Sequence, residues 1–304
     1  MSRPIRFGFQ ATGEHHQHIA ESARRAEELG FDTFSVADHV PGGLSPMLAL
    51  TAAAAATERI GLTTMVLNNE MRHPVQMAWE SMTLHRLSGG RFELGLGAGH
   101  TPHEFTAVGI ELDPPRVRKQ RLMESVEICR RLFAGETVDF DGAHYEVAGA
   151  TAGELAGPPL PILVGGNGAT LLEHAGRYAD IVGLQGLGKT REDGHSHGVK
   201  WTAEHLEAQI AQVAAGGRID EIELSALVQI VDITDDRTAS FEPLLARVEG
   251  LRAEDLAATP YVLVGTVDEI VEQVLGHRDR WGISYFVVRA LDEMAPVIEA
   301  CRGR

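Results

Sequence analysis

Short apolar runs that end in small or polar residues alternate along this chain with longer segments of helical spacing, and no other property narrows its fold as much. The alternation is the pattern of repeated βα units. Ile5–Ala11 is the first strand run, and Ile19, Ala23, Ala26 and Leu29 then recur about once per helical turn until Gly30 stops the helix. Further strands are expected at Thr33–Ala37, Ile60–Leu67, Arg91–Leu96, Pro161–Val164, Ile181–Leu184, Ile222–Val231 and Tyr285–Val288. Helices are expected at Pro46–Thr57, Pro74–Leu87, Pro114–Phe133, Ala169–Tyr178, Ala203–Ala215, Thr266–Trp281 and Asp292–Cys301. Eight strands, each followed by helical material, fit an α/β fold closed into a (β/α)8 TIM barrel. The 304 residues allow a single barrel domain over 1–304, because such barrels fill about 250 residues as one unit. A doubly wound dinucleotide fold would place a glycine-rich fingerprint after the first strand, and Gln10-Ala11-Thr12-Gly13 supplies none. Two insertions are expected. In the first, about 135–160, the alternation around Asp141-Gly142 signals a hairpin. In the second, about 187–202, Leu187–Trp201 is polar, rich in Gly and His and without period, as in a loop or lid.

Charge bears on partners. With 27 Lys and Arg against 43 Asp and Glu the chain carries −16, which argues against nucleic acid or an anionic membrane surface as a general partner. No apolar run approaches the roughly 20 residues of a membrane helix. Met1 leads directly into the strand-like Ile5–Gln10, without the apolar stretch of a signal peptide. Cys129 and Cys301 have no CxxC or Cys/His neighbour and read as idle thiols in a reducing cytoplasm.

In a barrel the site lies at the carboxyl ends of the strands, where the βα loops converge. Those ends carry Gln10 through Gly13, Asp38-His39, Asn68-Asn69, Gly97-Ala98-Gly99-His100, Gly165-Gly166-Asn167-Gly168, Gln185-Gly186, Gln229 and Arg289. Asp38-His39 either orients a ligand and exchanges a proton or caps a turn and fills a polar rim, and position alone leaves both open. The glycines of Gly95-Leu96-Gly97-Ala98-Gly99 allow a backbone to approach a flat ring, or a strand to pack tightly on its helix. Gly165–Gly168, directly before a helix, offers free N–H groups to a phosphate, with a structural turn as the alternative. His15, His16, His18, His195 and His197 have no metal-ligand spacing, so no metal is expected. No nucleophile elbow is present. Arg116, Arg118, Lys119 and Arg121 either meet an anionic tail or lie on a solvated helix face paired with Glu124 and Glu127, and the solvated face is expected. Lys189, Arg191 and Lys200 are candidate contacts for an anionic group.

The segments Gly30–His39, Glu58–Val66, His73-Pro74, Leu87–Gly99, Phe140–Tyr145, Pro159–Gly166 and Ala175–Asp180 carry, in order, a resemblance that runs along nearly the whole chain. The chain resembles the bacterial luciferase-like monooxygenase superfamily, and within it the branch that uses the deazaflavin coenzyme F420. The resemblance implies a barrel with the ring at the strand ends and the cofactor phosphate near the fifth-strand glycines. It implies that Asp38 and His39 form the catalytic pair beside the ring. It also implies a bulge after the third strand, often with a non-proline cis peptide, that supports the ring. The cofactor contacts it implies are Asp38, Met65, Val66, Gly97, Ala98, Gly99, Gly165, Gly166, Asn167 and Gly168. Gln10, Asn68, His100, Gln185 and Lys189 are the expected substrate contacts.

The implied activity is hydride transfer between F420 and a small organic molecule, as a reductase of an activated C=C or C=N bond, with His39 passing the proton. FMN as cofactor, and hence monooxygenation, is the alternative, and a non-catalytic flavin-binding relative is a second. Two departures from relatives matter. His100 stands where some carry a Glu, with Glu104 four residues on, and Val40-Pro41-Gly42-Gly43 replaces the aromatic that follows the Asp-His pair in sugar-phosphate oxidisers. Relatives commonly form homodimers.

Overall fold

A computed structural model describes residues 3–153, 155, 157–190, 197–247 and 250–304. Its centre is a closed barrel of eight parallel strands: β1 (Arg6–Ala11), β2 (Thr33–Val36), β3 (Gly61–Thr64), β4 (Phe92–Gly97), β5 (Ile162–Gly165), β6 (Ile181–Leu184), β7 (Glu223–Leu227) and β8 (Ile283–Val288). β8 pairs with β1, and β3 with β4, so the sheet has no edge. Around it lie α1 (Ile19–Leu29), α2 (Pro46–Ala56), α3 (Pro74–Leu87), α4 (Pro115–Phe133), α5 (Ala169–Tyr178), α6 (Ala203–Ala214), α7 (Val267–Trp281) and α8 (Ala295–Cys301). The expected TIM barrel is the observed one.

Strand alternation sorts side chains between the helix layer and the barrel interior. Arg6, Gly8 and Gln10 of β1 share the interior with Tyr285 and Val287 of β8 and with Glu223, Ser225 and Leu227 of β7. At the floor the Arg6 guanidinium meets Glu223 at 2.5 Å and Glu93 at 2.6 Å and lies 4.5 Å from the Tyr285 ring centre. Tyr285 Oη is 2.6 Å from Thr33 Oγ1. Above these, Met65, Leu163, Ile181, Tyr285 and Val287 form an apolar plug, which leaves only the mouth open for chemistry.

Three elements differ from the sequence reading. The third strand, expected at Ile60–Leu67, stops at Thr64 and resumes as Leu67–Asn68. The Thr64 hydroxyl bonds Gly95 N–H at 2.8 Å and Gly95 O at 2.9 Å, so a side chain takes the place of the ladder there. Leu187–Trp201, expected without structure, carries the antiparallel strands Leu187–Thr190 and His197–Val199. The single strand expected at Ile222–Val231 is divided: β7 ends at Leu227, and Ile230–Ile233 pairs in parallel with Val262–Gly265. Helices Arg237–Arg247 and Ala253–Ala258 lie between those two short strands, which makes a third insertion that the periodicity did not reveal. The hairpin of the first insertion is present as Val138–Asp141 and Glu146–Ala150.

Candidate active site

The mouth is organised by the break after β3. Val36 O accepts Met65 N–H at 2.9 Å, the Met65–Val66 peptide is cis, and Leu67–Asn68 rejoins β4 beside Leu96 and Gly97. Gln10 Nε2 donates to Met65 O at 2.9 Å. Asp38 Oδ2 accepts Asn68 N–H at 3.0 Å and pairs with Arg72 at 2.5 Å. The resemblance implied such a bulge without placing it; the structure puts it at Met65 and Val66.

Asp38 and His39 are neighbours in sequence with separate tasks. The Asp38 side chain is 2% exposed, and one of its oxygens serves both Arg72 and the Asn68 amide. A carboxylate so clamped anchors the bulge and has little freedom to carry protons. His39 is 59% exposed, and its Nδ1 meets Glu104 Oε1 at 2.8 Å, a carboxylate only 4% exposed. With Nδ1–H donated to Glu104, Nε2 is the nitrogen left to face a ligand. The chain then turns sharply: Gly43 N–H bonds His39 O at 2.7 Å across a cis Val40–Pro41 peptide. Glu104 comes from the short helix Pro102–Val108. Of the two acid-base candidates near the end of β4, His100 is exposed and Glu104 is turned inward to His39.

The glycines make room for the bulge. A Cβ on Gly97 would lie 2.6 Å from Val66 Cγ2, and one on Gly165 would lie 3.1 Å from Val66 Cγ1. At Gly97 and Gly165 the space a side chain would take is thus filled by Val66. Gly99, at φ +65°, stands against the Asn68 amide. Asn68 Oδ1 accepts Glu70 N–H at 3.1 Å, whereas its buried Nδ2 has no partner among the described residues. Gln185 lies beside Gly165, 3.0 Å from where a Cβ there would sit.

Helix α4 departs from expectation as well. Arg118 is buried and donates to Asp113 O at 2.8 Å, to Ala98 O at 3.2 Å and to Gly99 O, so it fixes the β4 loop. Arg121 pairs with Glu70 and Asp113, each at 2.5 Å. Glu124 is bonded to the N–H groups of Ala143, His144 and Tyr145 in the hairpin. The solvated face paired with Glu124 and Glu127 is thus not the one these residues form. Lys119 Nζ reaches Gly168, 2.7 Å from the position of a Cβ there. Burial, and then the neighbouring Arg118, push the Lys119 pKa below the ordinary lysine value. Gly168 precedes α5, whose first N–H groups have no helical acceptor. Asn167 donates to Leu187 O at 3.0 Å and accepts from Gln209 at 2.6 Å, which leaves its backbone as its available group. The Lys189 side chain and Arg191 lie outside the described residues. Among the described residues no group of three or more His, Cys, Asp or Glu is placed to hold a metal ion.

A barrel with this bulge and mouth can be set beside known proteins. Residues 4–249 match the family model described as luciferase-like monooxygenase. The chain belongs to that family. It is 36% identical over 187 residues to an F420-dependent glucose-6-phosphate dehydrogenase of Nakamurella multipartita, a match over 58% of this chain and about half (55%) of that one. A protein of the same description from Nocardia farcinica is 28% identical over 97% of this chain and 89% of its own. A solved F420-dependent secondary alcohol dehydrogenase, in complex with an F420–acetone adduct, superposes with a TM-score of 0.73 at 18% identity over 97% of each chain, which is a likeness of fold.

Proposed function

We propose that this protein is a coenzyme F420-dependent oxidoreductase that moves a hydride between the deazaflavin and a small organic substrate, as a reductase of an activated C=C or C=N bond. The observation that carries the reading is His39 held by buried Glu104 at the mouth, where a proton must accompany the hydride. Relatives described as F420-dependent support it. The residues present fit the cofactor. Asn68 Nδ2 is a buried donor awaiting an acceptor, Val66 offers an apolar surface above Gly97 and Gly165, and the start of α5 with Lys119 suits a phosphodiester.

The bound deazaflavin would supply or accept the hydride. Val66 and the Asn68 amide would hold the cofactor, while Asp38 and Gln10 hold the bulge that presents Val66 and Arg118 fixes the loop at Ala98 and Gly99. His39 Nε2 delivers the proton to the substrate atom next to the one that takes the hydride, and Glu104 steadies the ring of His39 through the exchange. Sugar-phosphate oxidation is not carried over from the relatives, because Val40–Gly43 stands where that subgroup has an aromatic after the Asp-His pair.

The partner is a second copy. α2 has no charged residue, and Leu48 of α2 and Trp79 and Leu87 of the neighbouring α3 are 73%, 64% and 67% exposed, large apolar side chains that a homodimer interface would cover. Sedimentation velocity reads this directly, and a monomer at micromolar concentration contradicts it. No helix among the described residues is long and apolar enough to cross a membrane. Burial pushes the Cys129 thiol up to about 12, in keeping with an inert thiol in the cytoplasm.

Parallel titration with F420 and FMN tests the reading. Quenching of deazaflavin fluorescence at a saturable site is expected, followed by oxidation of reduced F420 in the presence of activated alkenes or imines. Tight FMN binding without F420 binding defeats it and, with oxygen-dependent product, makes the protein an FMN monooxygenase. F420 binding without turnover of any acceptor leaves a non-catalytic relative.

A further inference from the structure

Arg289 continues the inward-facing series of β8, after Tyr285 and Val287, and so stands at the mouth beside β1 and β7. Its Nε donates to Gln10 Oε1 at 2.8 Å and its Nη1 to Gln229 Oε1 at 3.3 Å. Gln10 in turn donates to Met65 O, so the guanidinium is tied to the bulge through one amide whose orientation both bonds specify. Both supports are neutral. Arg6, Arg72 and Arg121 are paired with carboxylates, and the crowded Arg91 and Arg118 donate to carbonyls and, for Arg91, to the Thr57 hydroxyl, which locks them into the fold. Arg289 has no carboxylate partner among the described residues, and its Nη2 has no partner there at all. The side chain is open to solvent at the mouth yet crowded by the barrel wall, and the lost hydration lowers its pKa from the ordinary arginine value. A Glu at position 10 or 229 would have neutralised this charge. In a chain with 43 acidic residues, two glutamines keep it available.

We propose that Arg289, positioned by Gln10 and Gln229, is the docking point for a carboxylate on the substrate, so that the acceptor reduced here is a carboxylate-bearing small molecule. A planar guanidinium edge with free N–H groups matches a carboxylate, and charge-assisted bonds of this kind are the strong ones. The assignment of substrate class rests on the reading of the mouth as a hydride-transfer site.

The test compares cinnamate, an activated alkene bearing a carboxylate, with its neutral isostere cinnamamide, by titration against the F420-loaded protein and, separately, by isothermal titration against the cofactor-free protein. Wild type is expected to bind cinnamate at least about tenfold more tightly than cinnamamide. Arg289→Met is expected to abolish that preference while F420 still binds. Gln229→Glu, which keeps the arginine and supplies an internal carboxylate, is expected to weaken cinnamate alone, and it serves if Arg289→Met does not fold. Equal binding of the two probes, no binding of cinnamate into the millimolar range, or a preference that survives both variants overturns the proposal. Tighter, Arg289-dependent binding of phenyl phosphate overturns it in favour of a phosphate. If F420 fails to bind, the proposed function falls, whereas the cofactor-free titration still decides whether Arg289 holds carboxylates.

Discussion

His39 and Asp38 show how adjacent residues with complementary chemistry come to do different work. Both lie just beyond β2, where the chain leaves the sheet and the two side chains part. Asp38 goes under the bulge to Arg72 and Asn68, and His39 goes to the mouth and Glu104. His39→Ala is expected to lower kcat by about 10²- to 10⁴-fold, the usual worth of a positioned proton donor, with F420 affinity retained. Glu104→Gln keeps the shape but removes the charge, so a smaller loss in kcat with little change in KM is expected. Steady-state kinetics on both variants check this, and full activity in His39→Ala would remove the proton-transfer role. Asp38-His39 was legible in the sequence as a strand-end pair. Glu104 was visible only as an acid in the neighbourhood of the glycines, because the short helix that turns it toward His39 depends on where Arg118 and Phe105 pack.

At the scale of elements, β3 and its bulge depend on β4 and β5. Val66 occupies the space that side chains at Gly97 and Gly165 would fill. Gly97→Ala brings a methyl group within 2.6 Å of Val66 Cγ2, so Val66 must move. The expected cost is about 1–3 kcal/mol of stability, with F420 affinity weakened at least about tenfold. Thermal melts and the fluorescence titration read the two effects, and unchanged values in both would show that Val66 is not the seat of the ring. Most barrel elements were legible because their apolar periods are intrinsic to the chain. The break at Thr64 was not, since a hydroxyl that replaces a ladder bond leaves no mark on an apolar run. The strands at Leu187–Thr190 and His197–Val199 were missed for a related reason: short, glycine-rich, polar strands form through pairing rather than burial.

For the whole molecule, acid sensitivity follows from buried imidazoles. His277 is 6% exposed and stacked on Trp281 at 5.4 Å; burial, then Arg280, push its pKa down to about 4. His174 is lowered to about 4 as well, by burial and then Arg177. An unfolded chain takes up these protons near pH 6.5, and the native one resists until about pH 4. The unfolded state therefore binds more protons in that window, so stability is full above about pH 6.5 and falls as pH drops toward 4. His277 alone accounts for about 3 kcal/mol of the loss. Denaturant midpoints measured between pH 7 and pH 4 are expected to fall, and His277→Gln should flatten the slope; an unaltered slope would contradict the assignment.

The barrel class, the hairpin at Asp141-Gly142 and the glycine-bounded helix start were determined by the sequence alone. Apolar period, turn chemistry and backbone permissiveness are properties of short stretches of chain, so they survive without the fold. Tertiary structure decided which strand-end groups work together: Glu104 with His39, Asp38 with Arg72, Lys119 with Gly168, and Arg289 with Gln10 and Gln229. These pairings join residues far apart in sequence, and only closure of the barrel brings them within reach. The charge of the partner then determines whether a cation is neutralised inside the protein, as at Arg72, or, as proposed for Arg289, left for a ligand.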